Sequence, residues 1–168
     1  MGSLHAYMME YRTLLQKGVI QKAYKGLMDY IMQLRTHLQN KYPGYSISGS
    51  IYTGYMDMTY FSIVTERLKQ RTLKIAVVFL HQEGRFEVWL SGVNKQVQSK
   101  YWAMIKESNW NRYPLVPTIK GADSILESIL VGNPDFDDLD SLTSQIESGI
   151  LSFINDIETF LSQSDTHR

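Results

Sequence analysis

The sequence predicts an α+β domain. Its largely antiparallel sheet has four to five strands, with helices packed mainly on one face. Three observations carry this. Apolar residues recur at helical spacing through the first forty positions, and again from about residue 138 onward. Between Tyr45 and Gly92 the period switches to two. Strand patterns follow one another rather than alternating with helices, the order that places helices against one side of an antiparallel sheet.

In the first segment, Leu4, Tyr7, Met8, Tyr11, Leu14 and Leu15 fall at helical spacing up to Gly18, a left-handed stop. A longer helix runs from about Val19 to Asn40 on the stripe Ile20, Tyr24, Leu27, Ile31, Leu34 and Leu38, and Pro43-Gly44 ends it. Tyr45–Ile51 reads as a strand, Thr53-Gly54 as a turn or bulge, Asp57–Val64 as a second strand and Thr65–Arg71 as a charged connection with one helical turn. Leu73–His81 and Arg85–Gly92 form a hairpin around Glu83-Gly84. A two-residue loop sets His81 opposite Phe86, Phe79 opposite Val88 and Val77 opposite Leu90; a three-residue loop would invert the faces.

Asn94 is placed to cap a helix over Lys95–Glu107. The prolines Pro114 and Pro117, with Gly121, make Trp110–Gly121 an irregular crossing. Ser124–Val131 fits a strand or a short helix; its length and its closure by Gly132-Asn133-Pro134 favour the strand. One long C-terminal helix spans about Asp138–Gln163, with Gly149 inside it, and Thr166–Arg168 forms a tail. With two N-terminal helices and no linker or repeat, a single domain over residues 1–168 is expected.

Composition narrows the function. Hydrophobic residues are 43%, charged residues 20% and the formal net charge is zero, which excludes a disordered chain and lacks the basic excess of a nucleic-acid binder. There is no cysteine, so disulfides, thiolate metal sites and cysteine nucleophiles are excluded. No signal-peptide core and no apolar run long enough for a bilayer is visible, so a cytoplasmic protein without a membrane partner is expected.

Walker, dinucleotide, nucleophile-elbow and zinc-protease motifs are absent, and no cofactor or metal is expected. Asp135, Asp137, Asp138 and Asp140 resemble a cation loop but lack its glycine and distant glutamate. They sit where a helix begins, and carboxylates are favoured at its N-terminus.

Tyr42, Tyr45, Tyr52, Tyr55 and Tyr60 lie within nineteen residues, interleaved with serine, threonine and glycine. Such a lining suits an aromatic or heterocyclic ligand, and equally the packing of strand tyrosines under helices. Arg85, Glu87 and Trp89 alternate along one strand face. A glutamate beside tryptophan there is either an acid–base group or an ion-pair partner of Arg85. Asp57 and Glu87 invite comparison with nucleases that pair an acid with Glu-x-Lys, but Trp89 stands where the lysine is required.

Lys17–Met32 (KGVIQKAYKGLMDYIM), Ser48–Phe61 (SGSIYTGYMDMTYF) and Asn133–Asp140 (NPDFDDLD) together resemble, over nearly the whole chain, a family of uncharacterised bacterial and archaeal proteins classed as a domain of unknown function. The resemblance implies a free-standing domain and supplies no catalytic residue.

Three functions stay open. The first is a small-molecule binding module with a site lined by Tyr52, Tyr55, Asp57, Glu87 and Trp89. The second is a hydrolase or nuclease-like enzyme using Asp57 and Glu87. The third is an interaction protein that forms a homo-oligomer through an amphipathic helix, for which a large exposed apolar patch on the first or last helix would speak.

Overall fold

The structure, a computed structural model, describes residues 1–166. His167 and Arg168 of the expected tail lie outside the described residues, while Thr166 closes the last helix. Backbone contacts gather into two compact units, Met1–His37 and the chain from Leu38 onward.

The first unit is helical. α1 (Leu4–Gln16) begins at Ser3, whose Oγ accepts the Ala6 N–H at 3.2 Å. It stops at Gly18, which takes the left-handed conformation (φ +72°) as its sequence position suggests. α2 (Val19–Lys41) starts immediately afterwards, buries Tyr30, Ile31 and Leu34, and carries the chain into the second unit.

The second unit is built on one sheet. Its elements are β1 (Ser46–Ile47), β2 (Met58–Val64), α3 (Glu66–Gln70), β3 (Leu73–Leu80), β4 (Arg85–Gly92), α4 (Lys95–Ser108), β5 (Leu126–Val131) and α5 (Leu139–Thr166). The strands pair antiparallel in the order β1-β2-β3-β4-β5. This is the α+β fold the sequence predicts, with five strands, and Leu126–Val131 is a strand rather than a helix.

Two local expectations are corrected. The β3–β4 loop has four residues, 81–84, so Phe79 faces Phe86, Val77 faces Val88 and Leu80 faces Arg85. The Gly84 N–H closes that loop onto the Leu80 carbonyl with φ +65°, which shifts the register by two residues and preserves the faces. Tyr45–Ile51 is not one strand. Only Ser46 and Ile47 pair with β2, and the chain returns at Tyr52 opposite Tyr60. Between them the Ser48 hydroxyl accepts the Ser62 N–H and donates to the Ser50 carbonyl, and such side-chain bonds compete with a regular ladder.

The two sheet faces differ. The inner face carries Phe61, Ile63, Ile75, Val77, Phe79, Phe86, Val88 and Leu90, all buried. α5 packs against β5 and β4, burying Ile146, Ile150, Phe153 and Ile157. At a β4–β5 bulge Leu130 is the extra residue, and a Cβ built on Gly149 would meet its Cδ2 at 2.6 Å. Gly149, which as a glycine weakens the helix by about 1 kcal/mol relative to alanine, therefore admits a close helix–strand approach. The outer face holds Met58, Tyr60, Ala76, Val78, Leu80, Arg85, Glu87 and Trp89. Among the described residues, no helix is long and apolar enough to cross a membrane.

Candidate functional site

The sheet brings three of the five sequence-predicted ligand residues onto its outer face. Tyr60, Val78, Glu87 and Ile129 stand in one row across β2, β3, β4 and β5, and Tyr52 extends that row through its bridge to Tyr60. The Tyr52 and Tyr60 rings lie 5.0 Å apart, and Tyr52 remains 45% exposed. In the next row Ala76 separates Ser62 from Trp89, and Trp89 packs over the small side chains Ala76 and Val78.

Glu87 organises this face. It is 3% exposed, and both carboxylate oxygens are occupied: Arg85 Nε donates to Oε2 at 2.6 Å and Trp89 Nε1 donates to Oε1 at 2.9 Å. Of the two readings of the Arg85–Glu87–Trp89 cluster, this geometry is the ion pair. The strand's two-residue period sets all three on one side, and the glutamate fixes the orientation of the indole.

The remaining predicted residues, Tyr55 and Asp57, lie in the loop that precedes β2. Tyr55 is 92% exposed, while Asp57 Oδ1 accepts the Tyr55 N–H at 2.8 Å. The loop's tightness requires Gly54: a Cβ there would come within 2.1 Å of the Met58 carbonyl oxygen, and φ is +68°. Backbone N–H bonds, with a smaller contribution from His81, hold the Asp57 carboxyl below the usual carboxylate range. The His81 N–H in turn donates to the Asp57 carbonyl. Thr59, wholly buried, donates its hydroxyl proton to the Thr53 carbonyl at 2.7 Å, so at 2.8 Å His81 Nε2 must donate to Thr59 Oγ1. An imidazole that donates to a hydroxyl cannot take that hydroxyl's proton, so this constellation pins the loop rather than activating a nucleophile. Burial pushes the His81 pKa down, partly offset by Asp57.

The acidic run caps a helix. Asp138 Oδ1 accepts the Ser141 N–H at 3.1 Å and Asp135 Oδ1 accepts the Asp137 N–H at 2.9 Å. Among the described residues, no group of three or more His, Asp or Glu side chains could hold a metal ion. Hollows of about 300 and 420 Å³ flank Arg71. Its guanidinium donates to the Asp165 carboxylate and, at 3.3 Å, to the Leu161 carbonyl, so its charge is used to hold the C-terminal end of α5.

The first helix carries the kind of exposed apolar patch that the interaction reading named for the first or last helix. No residue of α1 is buried, and Leu4, Tyr7, Met8, Met9, Tyr11 and Leu14 are 39–76% exposed. The spacing of Leu4, Tyr7, Met8, Tyr11 and Leu14 sets them along one side of the helix and leaves open whether that side is covered. The available signal was Met9, an apolar residue off that side, which leaves the helix without a clean polar face.

No curated protein and no solved structure matches this sequence. A family model described as "Domain of unknown function (DUF7000)" matches residues 4–161, α1 included, and the chain belongs to that family.

Proposed function

We propose that the protein is an interaction module whose docking element is α1. The observation that carries this reading is a helix of 13 residues with six large apolar side chains in solvent and none buried. A helix of that length is marginal in water on propensity alone and draws its stability from packing. Contiguous exposed apolar surface on a soluble chain marks a contact site. The absence of cysteine is in keeping with a cytoplasmic setting. The test replaces Tyr7 and Tyr11 by glutamate and compares binding of an apolar dye, self-association and solubility. At least one should change clearly while the melting temperature holds; if all three are unchanged, α1 is not a docking element.

The outer sheet face supports a second reading, a site for a planar aromatic or heterocyclic small molecule. Its support is the exposed Tyr52 ring tilted against Tyr60, on the same face as an indole held in place by Glu87. Titration with a set of aromatic fragments should shift the Trp89 indole N–H resonance ahead of those of Trp102 and Trp110. Equal or absent shifts would remove this reading.

A further inference from the structure

We infer that the occupant of α1 is a second copy of this chain, joined helix to helix about a two-fold axis. This rests on the docking reading above and adds the identity of the partner.

Three observations select a second copy. The first is size. With each of the five large apolar side chains of its stripe roughly half exposed, α1 offers about 500 Å² per copy, or about 1,000 Å² for a pair, the area at which a specific interface begins. The second is self-matching. Leu4, Tyr7 or Met8, Tyr11, and Leu14 or Leu15 follow the alternating three- and four-residue spacing of a paired-helix seam, and a two-fold operator sets such a seam against itself. A shallow trough of about 520 Å³, lined by Met8, Met9, Tyr11, Arg12 and Leu15 together with His5 and Gln16, runs along the same helix.

The third observation is charge. The only Asp, Glu, Lys or Arg side chains on α1 are Glu10 and Arg12, which cancel, and the whole chain has zero formal net charge. Two copies therefore approach without net repulsion. The same fact argues against a lipid surface. A helix that lies in a membrane interface carries a lysine- and arginine-rich polar face, and α1 has one arginine and no lysine.

Sedimentation velocity on the full chain, from low to high micromolar concentration, tests the inference. The wild-type chain should shift from monomer to a species of twice the mass. Tyr7→Glu/Tyr11→Glu should remain monomeric at every concentration, with unchanged far-UV circular dichroism. Because the chain has no cysteine, Tyr11→Cys adds a single thiol, and mild oxidation should link it into a covalent dimer in high yield. A matched surface control, Lys69→Cys, should not link.

Should the glutamates disturb α1, the wild-type masses and the Tyr11→Cys linkage decide the matter without them. A wild-type chain that stays monomeric throughout overturns the second copy. If that monomer still binds an apolar dye through Tyr7 and Tyr11, the docking reading survives with a different partner. If it binds none, both fail. A dimer that persists in the glutamate variant also overturns the proposal, because its seam lies elsewhere.

Discussion

At the scale of single residues, polar groups in the second unit fix side chains within a strand and tie distant elements together. Glu87→Ala would leave the Arg85 guanidinium and the Trp89 indole N–H without their acceptor on a face where Trp89 is nearly buried. The expected cost is about 2 kcal/mol. Glu87→Gln, which retains one acceptor, should fall between the variant and wild type in urea unfolding. An alanine variant as stable as wild type would show that the cluster is ornamental. Tyr42 makes a long-range tie by donating its hydroxyl to Glu147, which Lys41 also reaches at 2.7 Å. The bond to the Glu147 carboxylate, with burial and charge acting in the same sense, pushes the Tyr42 pKa up from 10.0 to about 12. A raised folded-state pKa contributes stability that is complete below pH 10 and lost as the pH climbs towards 12. Tyr42→Phe should therefore be less stable than wild type at neutral pH and show a shallower loss over that alkaline window; parallel curves would refute the linkage. Asp138 as a helix cap and the Arg85–Glu87 pair were both legible from residue type and spacing. The Thr59–His81 link was not. It joins residues 22 positions apart, and its geometry exists only once the strand register is set.

At the scale of elements, the β3–β4 hairpin supplies the centre of the core. The Phe79 ring lies 4.9 Å from Phe86 and 6.2 Å from Phe136, and Phe79 is buried. Phe79→Ala should cost about 3–5 kcal/mol, read as a lower urea midpoint at constant slope. A midpoint near that of wild type would mean that the face assignment is wrong. Period and capping residues located every helix and all strands but one to within a few positions, because those signals are local. Where the sequence reading erred, the deciding interactions were non-local or fine in geometry. The Ser48 hydroxyl interrupts the first strand by bonding β2, and a four-residue loop closes as readily as a two-residue one while keeping the same faces. Gly149 read as a defect of α5 because the contact that explains it comes from Leu130, nineteen positions earlier.

For the whole molecule, periodicity shows which residues share a side of a helix but not whether that side is covered. The interaction reading left open the first or the last helix, and it is α1 that stands in solvent. The strand order carries a different consequence, in time rather than space. β2, β3 and β4 are joined by connections of 8 and 4 residues, whereas residues 93–125, 33 in all, separate β4 from β5. Loop closure grows costlier with length, so the three central strands should associate first and β5 later. Until it does, the main-chain donors and acceptors of β4 lie bare beside Trp89, as they would on a ribosome that has not yet released the C-terminal third. Pulsed hydrogen exchange during refolding should protect the amides of β3 before those of β5; simultaneous protection would contradict this order. The interval between the two events is the period in which the chain is most exposed to edge-to-edge misassociation. A slower decoding of residues 93–125 would lengthen it without altering one contact of the finished fold.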